Sequence, residues 1–520
     1  MSWQSELDEL HRRRALAEAM GGPDSVAFHH GRGKLTIRER IDRLEDPGTF
    51  HEVGALTGAP TWDGDGQLAA LQPSPVVMGT VRLDGRKVTV AGGDFTIRGG
   101  AGDAGERTLT TKWSWIYRHS LDHRLPHVRL LDSAGGSVKT FEKLGRTYVS
   151  QTDDMYLSTR LMQRVPVVSA VLGSVGGLPA VDACFSHFSV MVKGISQLFV
   201  GGPPVVKAAL GLDITKEDLG DERTQIPNGV IDNLADSEEE AFDQIRRFLS
   251  YLPASVWDMA PRTEPDDPPD RREQRLLEVI PRNRRRIYDP YEILDAVVDR
   301  GSFFEISPHA GRSHITGLAR VDGYPVGVMI NDPKVLGGGM DLVAGQKAMR
   351  LVQLCDTFHL PYAWLVDAPG LAVGPEHETA GAVRYGARVA SAFAASSMPM
   401  IAFLMRQCYG VGGALHWRPY DMYRRYAWPS AHWGSMHIEG GANAAYRREI
   451  DDADDPAAKR AEIEARLQEL ASPLRTAHAF DIEEIIDPRD TRPLLAEFVE
   501  DAQPVLRTQL GPTAGASYLP

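Results

Sequence analysis

An internal repeat restricts the fold of this chain more than any other feature of its sequence. The segment DRLEDPGTFHEVG, residues 42–54, answers DAVVDRGSFFEIS, residues 295–307, and Phe50 and Glu52 return as Phe303 and Glu305, 253 positions later. RLDGRKVTVAGGDFTIRGG from Arg82 answers RVDGYPVGVMINDPKVLGG from Arg320, with 14 positions from Gly85 to Gly99 and 14 from Gly323 to Gly337. RLPHVRLLDSAGG then answers HLPYAWLVDAPGL, each apolar run ending in an Asp (Asp132, Asp367) followed by small residues. In a looser fourth block, residues 165–177 answer residues 398–413; this alignment pairs Gly176-Gly177 with Gly412-Gly413 and makes the second copy three residues longer. Four blocks in one order predict two homologous domains, and 520 residues exceed what a single core normally holds.

Between the copies lies a stretch dense in Pro and charge, so the expected organisation is an N-terminal domain over 1–255, a linker over 256–285 and a C-terminal domain over 286–520. Within each copy short apolar or β-branched runs (VTVAG, VRLLDS, VPVVSAVLG; VGVMIN, YAWLVDA, MIAFLM) alternate with stretches of helical period such as 111–123 and 343–358. The pattern predicts an α/β fold in which strands apolar on both faces lie between layers. Residues 5–20 and 454–470 read as outer helices.

Composition narrows the function classes. With 42% apolar and 24% charged residues the chain is ordinary globular material. A formal net charge of -13 argues against a nucleic-acid partner, and no window approaches 18 consecutive apolar residues, so no membrane span is expected. Cys184, Cys355 and Cys408 are far apart and lack CxxC spacing, which fits a reducing cytoplasm and suggests neither disulfides nor a zinc site. The adjacent pair His29-His30 is expected at the surface, and no metal is called. GRGKLT at 31–36 departs from a phosphate loop, and there is no GxSxG elbow.

Glycine pairs after strands carry the chemistry. Gly176-Gly177, Gly412-Gly413 and the loops after Asp132 and Asp367 each follow an apolar strand. Without Cβ the chain can aim successive N–H groups at a developing oxyanion, an effect typically worth about 10²- to 10³-fold in rate per donor. The alternative is that these glycines only permit tight turns. Their recurrence in both halves suggests a reaction between two carbonyl-bearing molecules, which the pattern does not identify.

The segments GKLTIRERIDRLEDPGTF, GGDFTIRGGAG, LLDSAGGS, MVKGISQLFVGGPPVVKAALGLDITKEDLG, KAMRLVQLCDTFHLPYAWLVDAPGL, RYGARVASAFA, AWPSAHWGSM and IDPRDTRPLL resemble the carboxyltransferase (β) subunits of biotin-dependent acyl-CoA carboxylases, the propionyl-, acetyl- and methylcrotonyl-CoA group. The resemblance runs over about 31–492. It implies two tandem crotonase-like (ClpP/crotonase spiral) domains, a homohexamer, and an active site between the first domain of one subunit and the second of its partner. Acyl-CoA is expected on the first domain and biotin on the second, the biotin carried as carboxybiotin by a biotin carboxylase/biotin carboxyl carrier (α) subunit. CO2 would pass to the α-carbon (or a vinylogous carbon) of the thioester through an enolate.

Carried over by motif, Gly176 and Gly177 are expected to hold the enolate oxygen, and Gly412, Gly413 and Ala414 the ureido oxygen of biotin. Gly99, Gly100, Ser133, Ala134, Gly135, Gly136 and His416 would line the substrate side; Asp367, Ala368, Pro369, Gly370 and Tyr409 would line the cofactor side. Ser137 stands where many relatives carry Arg, extra residues follow Gly100, and the 408–417 segment can be paired with relatives in two ways, leaving His416 or Ala414 at the acyl-selecting place. These departures keep a second function open, an acyl-CoA decarboxylase or a divergent carboxyltransferase with an unusual substrate.

Overall fold

The computed structural model describes residues 2–100, 107–136, 139–149, 153–284 and 286–513. The chain divides into two compact units, Met1–Asp258 and Met259–Leu519. Of the stretch expected to be a linker, residues 259–284 belong to the second unit: Leu276 is buried in its core, and Thr263 donates its amide to the Gly323 carbonyl.

The first unit is built on an eight-stranded sheet. Its strands are β1 (His51–Glu52), β2 (Val76–Leu83), β3 (Arg86–Gly93), β4 (His127–Ser133), β5 (Val167–Gly176), β6 (Phe188–Val192), β7 (Gln197–Phe199) and β8 (Asn233–Ala235). They lie in the order β1-β2-β3-β4-β5-β6-β8, with β7 also on β5. β1, β2 and β3 pair antiparallel; every later pairing is parallel. Helices α1 (Ile37–Leu44), α2 (Arg107–His123), α3 (Leu178–Cys184) and α4 (Glu238–Tyr251) accompany it. Thr36 opens α1 with a reciprocal capping box to Glu39, as the TIRE sequence dictates.

The second unit repeats the plan with β9 (Phe304–Ile306), β10 (His314–Val321), β11 (Tyr324–Asn331), β12 (Tyr362–Ala368), β13 (Met400–Tyr409), β14 (Tyr423–Ala427) and β15 (His432–Gly434). Their order is β9-β10-β11-β12-β13-β14, with β15 also on β13. α5 (Pro290–Val297), α6 (Leu342–Thr357) and α7 (Gly410–Ala414) correspond in place to α1, α2 and α3. β4 and β12 are buried at all seven positions, and in β4 these include the polar His127, Arg129, Asp132 and Ser133. This is the α/β architecture expected from the sequence.

Small features repeat as faithfully as the strands. Asp46 receives the amides of Asp84 and Gly85 at the β2–β3 turn, and Asp299 receives those of Asp322 and Gly323 at the β10–β11 turn. A Cβ on Gly79 would strike the His51 carbonyl and the Phe50 ring; one on Gly317 would strike the Phe304 carbonyl and the Phe303 ring. The repeated Phe of the sequence therefore packs on a glycine opposite the edge strand in both units.

Candidate active site

At the carboxyl end of β4 the chain leaves the sheet through Ala134, Gly135 and Gly136 and meets the end of β5. Gly135 adopts φ +84°, and a Cβ there would lie 2.7 Å from the Gly176 carbonyl, so only glycine lets the two backbones approach this closely. The Ser133 hydroxyl donates to the Gly100 carbonyl at 2.8 Å, and the Ala134 amide to the Gly99 carbonyl at 3.0 Å. Gly99, Gly100, Ser133, Ala134, Gly135, Gly136, Gly176 and Gly177 thus form one cluster. Ser137 and the residues after Gly100 lie outside the described residues.

The amides of this cluster are not all free. Gly177, at φ +68°, donates to the carbonyls of Phe199 and Val200 at 3.3 and 3.2 Å. Among the described residues the amide of Gly136 finds no acceptor, Leu178 is the first residue of α3, and a Cβ at Gly136 or Gly177 would meet open space.

The second unit assembles the same geometry from Ala368, Pro369, Gly370 and the start of α7. A Cβ on Gly412 would lie 2.7 Å from the Gly370 carbonyl carbon, and one on Gly370, at φ +120°, would lie 3.3 Å from the Tyr409 oxygen. Strand register sets the equivalence between the halves. His127 pairs with Val167 and Ser133 with Val175; Tyr362 pairs with Met400 and Ala368 with Cys408, each ladder shifting at the same step. β5 and β13 are both ten residues long. Gly176-Gly177 therefore corresponds to Tyr409-Gly410, not to Gly412-Gly413, and the second copy carries no insertion before that point. Gly412 and Gly413 sit within α7, where they admit the close approach of Gly370 and of Cys408. Tyr409 pairs with Gly434 on β15 as Gly176 pairs with Phe199 on β7, so the Gly410 amide stands where that of Gly177 does.

The carboxylates that end β4 and β12 are structural anchors. Asp132 is fully buried and meets Lys34 Nζ at 2.6 Å and Arg40 at 3.1 Å; Arg40 also binds Glu238 at 2.6 Å. Asp367 is fully buried, accepts from the Tyr288 hydroxyl at 2.9 Å and pairs with Arg406 at 2.9 Å. It also accepts from the amide and side chain of Gln407, each at 3.1 Å. Its part in any site is to hold the loop that follows. Sequence reasoning does not single out Lys34, Arg40, Glu238, Tyr288 or Arg406; the run GKLTIRER signals only Lys34 and Arg40, and the other three have no sequence signal.

The histidines depart from expectation. His30 is exposed, but His29 is buried, with Nε2 3.0 Å from the Leu35 carbonyl and 3.8 Å from Asp132, and burial pushes it down to about 4. His416 is buried; its Nδ1 lies 2.6 Å from the Gly413 carbonyl, which can only accept, so the proton sits on Nδ1. Burial pushes His416 down to about 4 and the neighbouring Cys408 thiol up to about 12. Tyr409 is buried with its hydroxyl 2.9 Å from His432 Nδ1. Trp417, next to His416 in the chain, is exposed.

Residues 28–503 match the family model for the carboxyl transferase domain. The chain belongs to the carboxyl transferase family. It is 33% identical over 506 residues to the propionyl-CoA carboxylase carboxyltransferase subunit of Haloferax mediterranei, covering 95% of each chain. It is 31% identical over 497 residues to the methylmalonyl-CoA decarboxylase α subunit of Veillonella parvula, covering 94% of each. Among solved structures it is similar to the transcarboxylase 12S hexamer core with methylmalonyl-CoA bound, with a TM-score of 0.86, 30% identity, and 96% and 95% of the two chains covered. The two units thus have the crotonase-like fold, and the chain is a carboxyltransferase. Among the described residues no helix is long and apolar enough to cross a membrane.

Proposed function

We propose that this chain is the carboxyltransferase subunit of an acyl-CoA carboxylase, moving CO2 from carboxybiotin to the α-carbon of a CoA thioester. The observation that carries this reading is the duplicated cluster of closely approaching glycine backbone at the carboxyl ends of β4–β5 and β12–β13. In the first unit the amides of Gly136, Leu178 and Gly177 supply donors for the thioester oxygen, Gly177 by exchanging its long bonds to Phe199 and Val200. In the second, the Gly410 and Val411 amides supply donors for a ureido oxygen, with Gly370 and Gly412 setting the approach of the two loops. These amides fit a neutral carbonyl that gains negative charge, because no fixed carboxylate competes: Asp132 and Asp367 are neutralised by Lys34, Arg40 and Arg406. A bound carboxybiotin would supply the CO2 and, once decarboxylated, the base for the α-proton. The chain's own task is to hold both oxygens and orient the two reactants.

The reading includes an acyl-CoA substrate, a biotin carboxylase/carboxyl carrier partner, a homohexamer like that of the transcarboxylase 12S core, and a cytoplasmic setting. Its test is reconstitution with a biotin carboxylase, a biotinylated carrier, ATP and labelled bicarbonate: a short or branched acyl-CoA gains label, and silence across a broad panel contradicts it. The likeness to the Veillonella parvula decarboxylase subunit favours one second reading, the reverse direction. Carrier-dependent loss of CO2 from methylmalonyl-CoA at a rate exceeding carboxylation supports that alternative.

A further inference from the structure

One fully buried cation of the first unit has no part in the function above. Arg129, the third residue of β4, has every nitrogen of its guanidinium engaged inside the fold. Nη1 donates to the Asp182 carbonyl at 3.0 Å and to the Phe185 carbonyl at 2.6 Å, Nη2 to the Ser158 hydroxyl at 2.9 Å, and Nε to the Tyr117 hydroxyl at 3.1 Å. Tyr117 and Ser158 close the network, each donating its hydroxyl to the Asp182 carboxylate at 3.2 Å. β4, α2, α3 and the helix Asp153–Met162 are thereby tied at one point, the end of α3.

The other end of α3 bears two residues of the first amide cluster. Leu178 is its first residue, and Gly177 precedes it with its carbonyl accepting from the amides of Ala180 and Val181 at 3.0 and 3.3 Å. Seven residues make about two turns and about 10 Å of helix, too short to hold a position by itself. What sets where the Gly177 and Leu178 amides stand is therefore the packing of Ala180 and Ala183 in the core and the grip of Arg129 on Asp182 and Phe185. Burying a guanidinium is costly even when hydrogen bonds answer it, and the fold does not demand one here. At the same register position of the second unit stands Trp364, which pairs with Ala402 as Arg129 pairs with Ser169 and donates its N–H to Asn331 at 3.0 Å.

We propose that Arg129, with Tyr117, is a positioning residue for the first amide cluster: by gripping the far end of α3 it fixes the Gly177 and Leu178 amides where the thioester oxygen gains charge. This inference rests on the carboxyltransferase reading. Both side chains are fully buried and act through α3, not on a reactant. Their contribution is geometric, and a displacement of about 1 Å at a reacting group can cost about 10²-fold in rate. An apolar residue at 129 fills the volume but leaves the Asp182 and Phe185 carbonyls without this donor, so α3 is free to shift along its axis.

The test reads the amides directly, through the carbonyl stretch of propionyl-CoA isotope-labelled at its thioester carbonyl and bound to the purified full-length chain, by isotope-edited infrared spectroscopy. Donors aimed at the oxygen weaken that bond, so the wild-type chain lowers the band. Arg129→Met binds the ester within about threefold of wild type, loses most of the band shift, and transfers carboxyl about 10-fold to 10²-fold more slowly in the reconstituted enzyme. Tyr117→Phe, which keeps the cation, gives a smaller loss of the same kind. Gly79→Ala, whose new methyl meets the edge strand and the Phe50 ring, weakens the fold and keeps the wild-type band. A folded Arg129→Met chain with the wild-type band shift overturns the proposal. So does loss of the shift in Gly79→Ala, since the effect is then one of stability. If Arg129→Met does not fold, Tyr117→Phe decides in the same terms. If the wild-type chain leaves the band at its solution frequency, the reading of the first amide cluster itself fails, and the proposal with it.

Discussion

Gly177 and Gly410 occupy the same place in the two sheets: each follows a ten-residue central strand, and each holds a positive φ, +68° and +59°. Their strands also pair alike: Gly176 pairs with Phe199 on β7, and Tyr409 with Gly434 on β15. The Gly177 amide lies on the Phe199 and Val200 carbonyls, so the first cluster must open one pair of long hydrogen bonds when it takes an oxyanion.

Gly177→Val and Gly410→Val each force a β-branched residue into left-handed backbone, a cost of about 1–2 kcal/mol, and move the amide that meets the reactant. Carboxyl transfer falls by about 10²-fold or more in both variants, while circular dichroism and melting show a folded chain. Transfer within threefold of wild type in either variant contradicts the assigned role.

Gly79→Ala and Gly317→Ala test the repeat where no chemistry is assigned. Each new methyl meets the carbonyl of the edge strand and the ring of Phe50 or Phe303. Both substitutions destabilise the chain by about 2 kcal/mol or more, read as a shift in urea midpoint. A neutral outcome in one and a large loss in the other argues against equivalent packing in the two units.

Asp367→Asn leaves Arg406 buried beside a neutral amide, and Asp132→Asn does the same to Lys34 and Arg40. Breaking a buried pair from one side costs about 3–5 kcal/mol, so both variants lose stability before any effect on catalysis is separable. Denaturant titration of the two variants measures it.

His416 carries its depressed pKa, about 4, only in the folded state; unfolded, it titrates near the ordinary histidine value. Between those values the unfolded chain binds more protons, so stability is full above about pH 6.5 and falls as pH drops toward 4, by up to about 3 kcal/mol from this residue. His416→Gln reduces the stability difference between pH 7 and pH 5, measured by urea unfolding, while His29, His314 and His432, also pushed down by burial, keep their share; an unchanged difference shows that His416 does not contribute.

The sequence disclosed the fold through its repeat because Phe50, Asp46 and the Gly85 turn recur as Phe303, Asp299 and Gly323, each doing the same local work. The clusters were legible through Gly135, whose neighbour leaves no room for a side chain, and through Gly176 and Gly370, where a Cβ would meet its nearest atom at 3.1 and 3.3 Å. The second cluster was misregistered because matching letters paired the two double glycines, whereas strand length and ladder register pair Gly177 with Gly410. His29 hid its burial for a related reason: a polar residue closing on an internal Asp has no periodic signature. The partners of Asp132 and Asp367 come from segments far along the chain, and only the folded backbone brings them together.

The central claim is that main-chain amides of the first cluster hold the thioester oxygen as charge develops on it. A crystal structure of the chain with a CoA analogue whose nitronate mimics the enolate tests it most directly. The account predicts the nitronate oxygen within about 3.1 Å of two amides among Gly136, Gly177 and Leu178, with the Gly177 bonds to Phe199 and Val200 released. A nitronate bound to side chains elsewhere, with the Gly177 amide still on those carbonyls, contradicts it.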